Sequence, residues 1–313
     1  MKEIGGYLDF EINYKNEYHE NAIKLNSARN FLFYIIKNRG IKKILLPYYI
    51  CDSVINTCKM CNCNIEFYHI DNNFIPIISQ LDDNMYTYVY IVNYFGTISN
   101  HKIKKLKKLY KNIIIDNVQS FFQKPVKNID TIYSCRKYFG VCDGAYLYTN
   151  CENKLKISED NTTSKRLNYL FGRFENNAQD FYGDYLKNEE YLDHEKIKYM
   201  SKITKNILKG INYKFVKNRR FSNFKYLNKY LKSTNKLSIR NSFGLYLYPY
   251  YSDKANILRE KMIKNKIYIP KLWPNVNTNI KEYDYVNNIV LIPIDQRYGK
   301  EEMKKIIEVV KEN

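Results

Sequence analysis

Four side chains that could act together chemically follow two apolar segments in the middle of the chain. Asp116 directly follows the apolar run 113–115, and Gln119 comes three residues later. Ser134 directly follows the apolar run 131–133, and Lys137 comes three residues later. In an open α/β sheet, ligands bind outside the carboxyl ends of the strands. We therefore expect these four side chains to line one site.

This set of side chains fits the requirements of pyridoxal phosphate (PLP). PLP needs a lysine amine for its Schiff base and a carboxylate that keeps the pyridine nitrogen protonated. Its phosphate needs hydroxyl groups and backbone N–H groups, typically at a helix N-terminus. Each residue also has an ordinary explanation, since an aspartate after a strand is commonly a turn former and most lysines are solvated charges. The order and spacing of the whole set favour the PLP site.

Three motifs occur in an order that resembles one protein family. They are Asp116-x-x-Gln119, Ser134-x-x-Lys137 and a tripeptide, Asp-Gly-Ala, that begins at Asp143. This order is similar to that of the DegT/DnrJ/EryC1/StrS sugar aminotransferases, which are PLP-dependent enzymes of fold type I. The family pattern has Glu-Gly-Gly at the third motif, so this chain departs from it at two of those three positions. The resemblance is strongest over residues 27–148.

The resemblance implies a role for each of the first four residues. Lys137 would form the Schiff base with the cofactor and then move the proton during amino transfer. Asp116 would pair with the protonated pyridine nitrogen, and Gln119 would form a hydrogen bond near the ring oxygen. Ser134 would hold the phosphate.

The resemblance also implies five further cofactor contacts. Ser27, Ala28 and Arg29 occupy the helix start that binds the phosphate in the family, although the usual glycine is missing and Ser27 could be an ordinary N-cap. Tyr49 would stack on the pyridine ring, or it could simply belong to the core. Lys198 stands near the place of an Asn-x-Arg segment that reaches the phosphate of the partner subunit, without the fork geometry of arginine.

The function implied by the resemblance is amino transfer to a sugar. The amino group would pass from an amino acid, such as glutamate, to a keto-sugar on a nucleotide carrier, in the synthesis of a surface glycan or a secondary metabolite. The family also implies a homodimer. Two alternatives stay open: a PLP enzyme of the same fold with other chemistry, such as sugar dehydration, and a non-catalytic binding or regulatory descendant. The chain is shorter than typical family members, chiefly after the lysine, and its phosphate residues are altered, which keeps the non-catalytic alternative open.

Composition places the chain among globular proteins. It has 313 residues, of which 45% are hydrophobic, and its start lacks the apolar segment of a signal peptide. We expect a cytoplasmic protein with no membrane partner. The net charge of +19 could indicate nucleic-acid binding. However, the lysines are scattered, and the basic run 101–111 has apolar residues at helical spacing. We therefore expect an amphipathic helix there and no nucleic-acid partner.

The seven cysteines do not indicate a disulfide framework. The number is odd, and the chain shows no secretory signal. Cys51, Cys58, Cys61 and Cys63 lie close together in the sequence, which raises the question of a zinc site. They extend from a predicted helix to the start of a strand, and the chain offers no second paired cysteine knuckle. We therefore expect no metal.

The pattern of elements predicts an α/β fold with a mainly parallel sheet. Residues 1–208 would form a large PLP-binding domain, in which Ser27 begins a helix, Gly40 ends it, and residues 191–208 form another helix. Residues 209–313 would form a small α+β domain. Its elements would be a strand at 243–249, a helix that Asp253 caps and that ends at 264, a strand at 288–294 and a helix at 300–311.

Overall fold

A computed structural model of the protein describes residues 4–81, 84–239 and 244–311. In these ranges none of the helices has the length and apolar character needed to cross a membrane. The helices are α1 (Ala28–Arg39), α2 (Asp52–Met60), α3 (Asn100–Leu109), α4 (Asn168–Glu175), α5 (Tyr182–His194), α6 (Lys202–Lys209), α7 (Tyr213–Leu231), α8 (Ala255–Lys264), α9 (Tyr283–Asn288) and α10 (Lys300–Lys311).

The strands form one large sheet and one small sheet. They are β1 (Ile23–Leu25), β2 (Lys43–Pro47), β3 (Asn64–Ile70), β4 (Pro76–Ile77), β5 (Thr87–Val92), β6 (Ile113–Asp116), β7 (Asp130–Ser134), β8 (Ala145–Tyr148), β9 (Ser158–Glu159), β10 (Lys198–Tyr199), β11 (Leu247–Tyr251) and β12 (Ile289–Pro293). The large sheet has the order β4-β3-β2-β5-β6-β7-β8-β1-β10-β9, and β11 pairs with β12.

The middle of the large sheet is parallel. The strands from β3 through β2, β5 and β6 to β7 are parallel neighbours, whereas β8 is antiparallel to both β7 and β1. All residues of β5 and β6 are buried. A strand that is covered on both faces reads as a continuous apolar run, and the three isoleucines of β6 are such a run. The predicted α/β fold with a mainly parallel central sheet is confirmed.

Local signals at the first helix are also confirmed. The Ser27 hydroxyl accepts a hydrogen bond from the Asn30 backbone N–H, which caps α1. Gly40 ends the helix in a left-handed conformation with φ of 66°, and its N–H donates to the Ile36 carbonyl. The predicted basic helix is α3, which buries Ile103 and Leu106.

The predicted single helix at 191–208 is wrong. The helix α5 ends at His194, the short strand β10 follows, and a new helix, α6, begins at Lys202. Ser201 caps α6 by accepting a hydrogen bond from the Thr204 N–H at 3.1 Å. Because β10 must pair with β1 in the sheet, the chain leaves the helical conformation there despite its helix-compatible pattern.

The C-terminal part has the predicted order of strand, helix, strand and helix, with two corrections. Asp253 does not cap α8; that helix begins at Ala255, and Asp253 pairs with Lys236. The long helix α7 precedes these elements and was not predicted. The first predicted strand lies at β11, and its predicted start, Phe243, is outside the described residues. The division into domains at residue 208 stays a prediction.

Candidate functional site

Asp116 and Ser134 lie at the same edge of the large sheet. Strands β6 and β7 are parallel, and Asp116 pairs with Ile132 in their register. Asp116 is the last residue of β6, and Ser134 is the last residue of β7. Lys137 follows in the turn after β7, where the Tyr138 N–H donates to the Cys135 carbonyl. The carboxyl edge of the sheet thus brings the acid, the hydroxyl and the lysine together, as predicted.

Asp116 is buried and well supplied with hydrogen-bond donors. One carboxylate oxygen, Oδ2, accepts from the Tyr90 hydroxyl at 2.8 Å, and Oδ1 accepts from the Val118 N–H at 2.9 Å. Burial raises the pKa of the carboxyl, while the charge of Lys137 and these two hydrogen bonds oppose the increase. Tyr90 belongs to the buried strand β5, so the carboxylate is held from a neighbouring strand as well as from its own turn.

Lys137 is an amine with a lowered pKa. Burial lowers the pKa of Lys137, and the negative charge of Asp116 opposes this change. The two groups therefore act on each other electrostatically, although no salt bridge joins them within the ranges that the structure describes. The amine nitrogen Nζ lies over the ring of Tyr246, at 5.6 Å from its centroid. A lowered pKa increases the fraction of the neutral, nucleophilic amine.

The side-chain amide of Gln119 has a partner for its oxygen but none for its nitrogen in the described protein. Its oxygen Oε1 accepts from the Phe95 N–H at 3.0 Å, which fixes the orientation of the amide. Its nitrogen Nε2 is buried and has no hydrogen-bond partner in the described protein. Buried polar groups are nearly always paired, and an unpaired donor costs about 1–3 kcal/mol. An acceptor on a bound ligand would satisfy this donor.

Ser27 and Ser134 approach the same edge through β8. Ala145 pairs with Ser134 on one side and with Leu25 on the other. The N-terminus of α1, which begins at Ala28, therefore lies at the same sheet edge as the end of β7, with β8 between them. The first N–H groups of a helix have no acceptors within it, and with the positive end of the helix dipole they favour an anion.

The side chain of Arg29 points elsewhere. It donates to the Leu192 carbonyl at 3.1 Å and forms an ion pair with Asp193, both at the end of α5. Only the backbone N–H of Arg29 is therefore placed at the start of α1. The side-chain contacts of this residue do not bring it together with Lys137.

Tyr49 is buried in an aromatic cluster. Its ring stacks on Tyr94 with the centroids 5.5 Å apart, and Trp273 packs edge-on against it at 4.4 Å. The Tyr94 hydroxyl also donates to the Tyr49 carbonyl. The ring contacts of Tyr49 are thus with other aromatic residues, and its predicted contact with the cofactor stays a prediction.

Lys198 lies on the short strand β10, which is distant in sequence from the turn that contains Lys137. Its amine pairs with Glu195 at 3.1 Å. Burial acts to lower the pKa of Lys198, but the bond to Glu195 outweighs it and the pKa is raised. Its predicted reach to a partner's phosphate also stays a prediction.

The third motif, which begins at Asp143, is held by buried hydrogen bonds to the start of α6. Asp143 is fully buried, and its carboxylate accepts from the Ser201 N–H at 2.9 Å and from the Ser201 hydroxyl at 3.0 Å. Gly144 has φ of 112°, and a Cβ there would lie 3.0 Å from Thr204. The motif therefore joins the start of β8 to the start of α6.

Sequence reasoning missed three residues that contact or influence the site. Tyr90 looked like one more apolar strand residue, and the partner of its hydroxyl depends on the pairing of β5 with β6. Tyr246 lies far along the chain from Lys137, and no local pattern marks it. Cys51 acts on the pKa of Lys137, and its place among the neighbouring cysteines gives no sign of this.

The remaining cysteines of that group show the behaviour of buried thiols. Burial raises the pKa values of Cys58, Cys61 and Cys63, to about 11 for Cys63. Across the described ranges, no three or more His, Cys, Asp or Glu side chains are grouped to hold a metal ion.

Comparison with solved structures finds the same fold in several proteins. A DegT DnrJ EryC1 StrS aminotransferase from Brucella abortus has a TM-score of 0.62 and 14% identity, over 93% of this chain and 85% of that chain. NtdA from Bacillus subtilis, with the bound cofactor PMP, has a TM-score of 0.68 and 13% identity, over 93% of this chain and 72% of that chain. The sugar aminotransferase CalS13 from Micromonospora echinospora has a TM-score of 0.64 and 10% identity, over 94% and 88%.

These comparisons confirm the resemblance at the level of the fold. The chain has the fold of the sugar aminotransferases, which is PLP fold type I. No protein-family model matches the sequence, and no curated protein matches it. Since one fold supports several reactions, the side chains of the site decide which activity a protein has.

Proposed function

We propose that this protein is a PLP-dependent aminotransferase. The observation that carries the proposal is the meeting of the Lys137 amine and the buried Asp116 carboxylate at one sheet edge. The unpartnered amide nitrogen of Gln119, on the turn after Asp116, supports it, because this buried donor lacks an acceptor that a bound cofactor could supply. The fold shared with sugar aminotransferases is consistent with this chemistry.

The residues at this edge match the parts of PLP. Lys137 would supply the amine, Asp116 would face the pyridine nitrogen, and Gln119 Nε2 would donate to the ring oxygen. When bound, PLP supplies an electron sink for the charge that develops on the substrate carbon. The lowered pKa of Lys137 suits an amine that must lose and regain a proton near neutral pH.

The phosphate would lie between the end of β7 and the start of α1. Ser134 and Ser27 would donate from their hydroxyls, since the capping bond of Ser27 uses only its acceptor capacity. Ala28 and Arg29 would donate from their backbone N–H groups. Tyr49 would stack on the pyridine ring, and the ring of Tyr94, which is stacked on Tyr49, would hold Tyr49 in place.

The proposed reaction balances without an external oxidant or reductant. An amino acid, such as glutamate, gives up its amino group and two electrons, takes the oxygen of one water molecule and becomes a 2-oxo acid. A keto-sugar releases its carbonyl oxygen as water and gains that amino group and the two electrons. Lys137 would move a proton to or from the reacting carbon of each substrate.

We propose a nucleotide-linked keto-sugar as the acceptor, for a surface glycan or a secondary metabolite. The net charge of +19 favours an anionic substrate such as a diphosphate. Arg136, directly before Lys137, adds a positive charge near the site. It pairs with Glu189, and its nitrogen Nε is buried without a hydrogen-bond partner in the described residues.

We also propose that the protein is a homodimer in which Lys198 contributes to the partner's phosphate site. Large apolar side chains are exposed in the N-terminal segment, where Ile4, Tyr7 and Leu8 are each more than nine-tenths exposed, and Phe174 on α4 is also 91% exposed. A second copy could cover such surfaces. Sedimentation at low micromolar concentration should show a dimer, and Lys198→Ala should weaken PLP retention. A monomer that still holds the cofactor would contradict this part of the proposal.

The direct test is covalent trapping of the cofactor. Protein incubated with PLP is reduced with borohydride and digested, and the pyridoxyl group is located by mass spectrometry. We expect it on Lys137 and expect its loss in Lys137→Ala. Lys127→Ala is the matched control, because Lys127 is a nearby lysine in the loop before β7 and should not affect labelling. A pyridoxyl group on another lysine, or on none, would refute the proposal.

A second measurement separates amino transfer from other reactions of the same fold. Protein loaded with PLP is mixed with glutamate that carries a heavy nitrogen isotope. We expect the isotope to appear on the cofactor and 2-oxoglutarate to appear in solution. If Lys137 is labelled by borohydride but no nitrogen is transferred from glutamate or another amino acid, the protein is a PLP enzyme of different chemistry.

A further inference from the structure

A buried arginine on α7 connects several backbone segments near the site. Arg220 is 1% exposed. Its NH1 group donates to the carbonyls of Leu245 and Tyr246 at 3.1 and 3.0 Å, and its Nε donates to Gln296 Oε1 at 3.0 Å. Its NH2 group donates to the Tyr138 carbonyl at 3.5 Å. A buried guanidinium is costly unless it is hydrogen-bonded, and these contacts satisfy it.

Two of the residues that Arg220 contacts, Tyr138 and Tyr246, lie next to Lys137. Tyr138 directly follows Lys137, and its carbonyl accepts from Gln296 Nε2 at 2.8 Å as well as from Arg220. The ring of Tyr138 lies under the guanidinium at 4.5 Å. Tyr246, whose carbonyl also binds Arg220, places its ring beneath the Lys137 amine. Arg220 therefore fixes both the backbone next to Lys137 and the surface on which its side chain lies.

We propose that Arg220 and Gln296 are positioning residues for Lys137, and this inference rests on the proposed function. A lysine side chain has a long, flexible stem, so its amine is directed only if its backbone and its packing surface are both fixed. The planar fork of arginine satisfies several carbonyls at once, which the single ammonium of lysine does not reproduce. Arg220 and Gln296 come from the C-terminal part of the chain, so that part orients the reactive amine.

This role is geometric rather than electrostatic. Besides burial, the groups that act on the pKa of Lys137 are Asp116, Cys51 and Arg136. Arg220 touches the neighbours of Lys137 and not its amine. Its replacement should therefore change how fast Lys137 reacts and leave unchanged the pH at which it becomes reactive.

The test measures capture of PLP by Lys137 in the full-length protein. Wild type and Arg220→Lys are mixed with PLP at a series of pH values, quenched with borohydride at set times, and digested. The pyridoxylated peptide that contains Lys137 is quantified by mass spectrometry. We expect Arg220→Lys to react roughly tenfold more slowly or worse, because a displacement of about 1 Å can cost about 10²-fold. We expect the midpoint of the pH profile to stay at its wild-type value.

Two further variants keep the test decisive. Gln296→Glu still accepts from Arg220 Nε but loses the donor to the Tyr138 carbonyl, and its partly exposed position favours folding. It should also slow the labelling, and it decides the test if Arg220→Lys does not fold. Arg219→Lys is the matched control, since this neighbouring arginine lies over the ring of Phe215 and should label at the wild-type rate.

The outcomes separate this inference from the proposed function. Wild-type labelling rates in Arg220→Lys and Gln296→Glu would overturn the positioning role. A shifted pH midpoint in Arg220→Lys, which keeps the positive charge, would overturn it as well, because Arg220 would then act on the pKa of Lys137 rather than on its position. Absence of label on Lys137 in the wild-type protein would instead overturn the proposed function.

Discussion

The stability of this protein should fall on acidification because of one buried histidine. His19 is fully buried, and its ring lies 4.2 Å from that of Tyr133. Its Nε2 lies 2.8 Å from the Phe121 carbonyl, which can only accept, so Nε2 carries the proton. Its Nδ1 then accepts from the Tyr148 hydroxyl at 3.2 Å. The neutral ring satisfies both nitrogens, and a second proton would put an uncompensated charge in the core.

The pKa of His19 gives the size and the sign of the effect. This pKa is lowered from 6.5 to about 4 in total: burial is the largest cause, the Phe121 carbonyl opposes the shift, and the charge of Lys124 adds to it. Between these values the unfolded state binds more protons than the folded state. The stability that the neutral His19 ring contributes is therefore fully present above pH 6.5 and is lost as the pH falls toward 4. At about 1.36 kcal/mol per pKa unit, the loss amounts to roughly 3 kcal/mol.

The assay is urea unfolding at a series of pH values and at one protein concentration. Wild type is compared with His19→Gln, in which no imidazole can titrate while the groups shared by both proteins still do. The difference in unfolding free energy between the two proteins should shrink by roughly 3 kcal/mol as the pH falls from 6.5 to 4. A difference that stays constant over this interval would show that His19 is not a buried neutral imidazole.

Three further predictions follow from single contacts. Tyr90→Phe removes a donor to the Asp116 carboxylate and should weaken PLP retention about tenfold or more. The reason is that a hydrogen bond to a charged group contributes about 1.5–3 kcal/mol. Unchanged PLP dissociation would contradict this prediction. Arg39→Met leaves Asp130 buried without its paired donors and should cost about 3–5 kcal/mol in urea unfolding at neutral pH. Gly144→Ala should lower the melting temperature, since φ of 112° strains an alanine by roughly 1–3 kcal/mol; a wild-type melting temperature would exclude that strain.

Much of the fold and the centre of the site could be predicted because their determinants are local. The isoleucines of β6 are continuous in the sequence because both faces of the strand are covered. Asp116 and Ser134 follow such apolar runs directly, and Lys137 comes three residues after Ser134, so their place at the sheet edge follows from the strands themselves. The caps of α1 were likewise predictable, because Ser27 and Gly40 act within one helical turn.

The tertiary structure decided the features that depend on partners far apart in the chain. The Tyr90 hydroxyl finds Asp116 only because β5 and β6 are neighbours, and Arg220 meets the Tyr138 carbonyl across 82 residues. The segment around Lys198 has a helix-compatible pattern, yet pairing with β1 makes it a strand. Local patterns restrict the backbone of each segment, but several packings satisfy them equally. The choice among these packings is made by burial and hydrogen bonding between segments, which no single stretch of sequence contains.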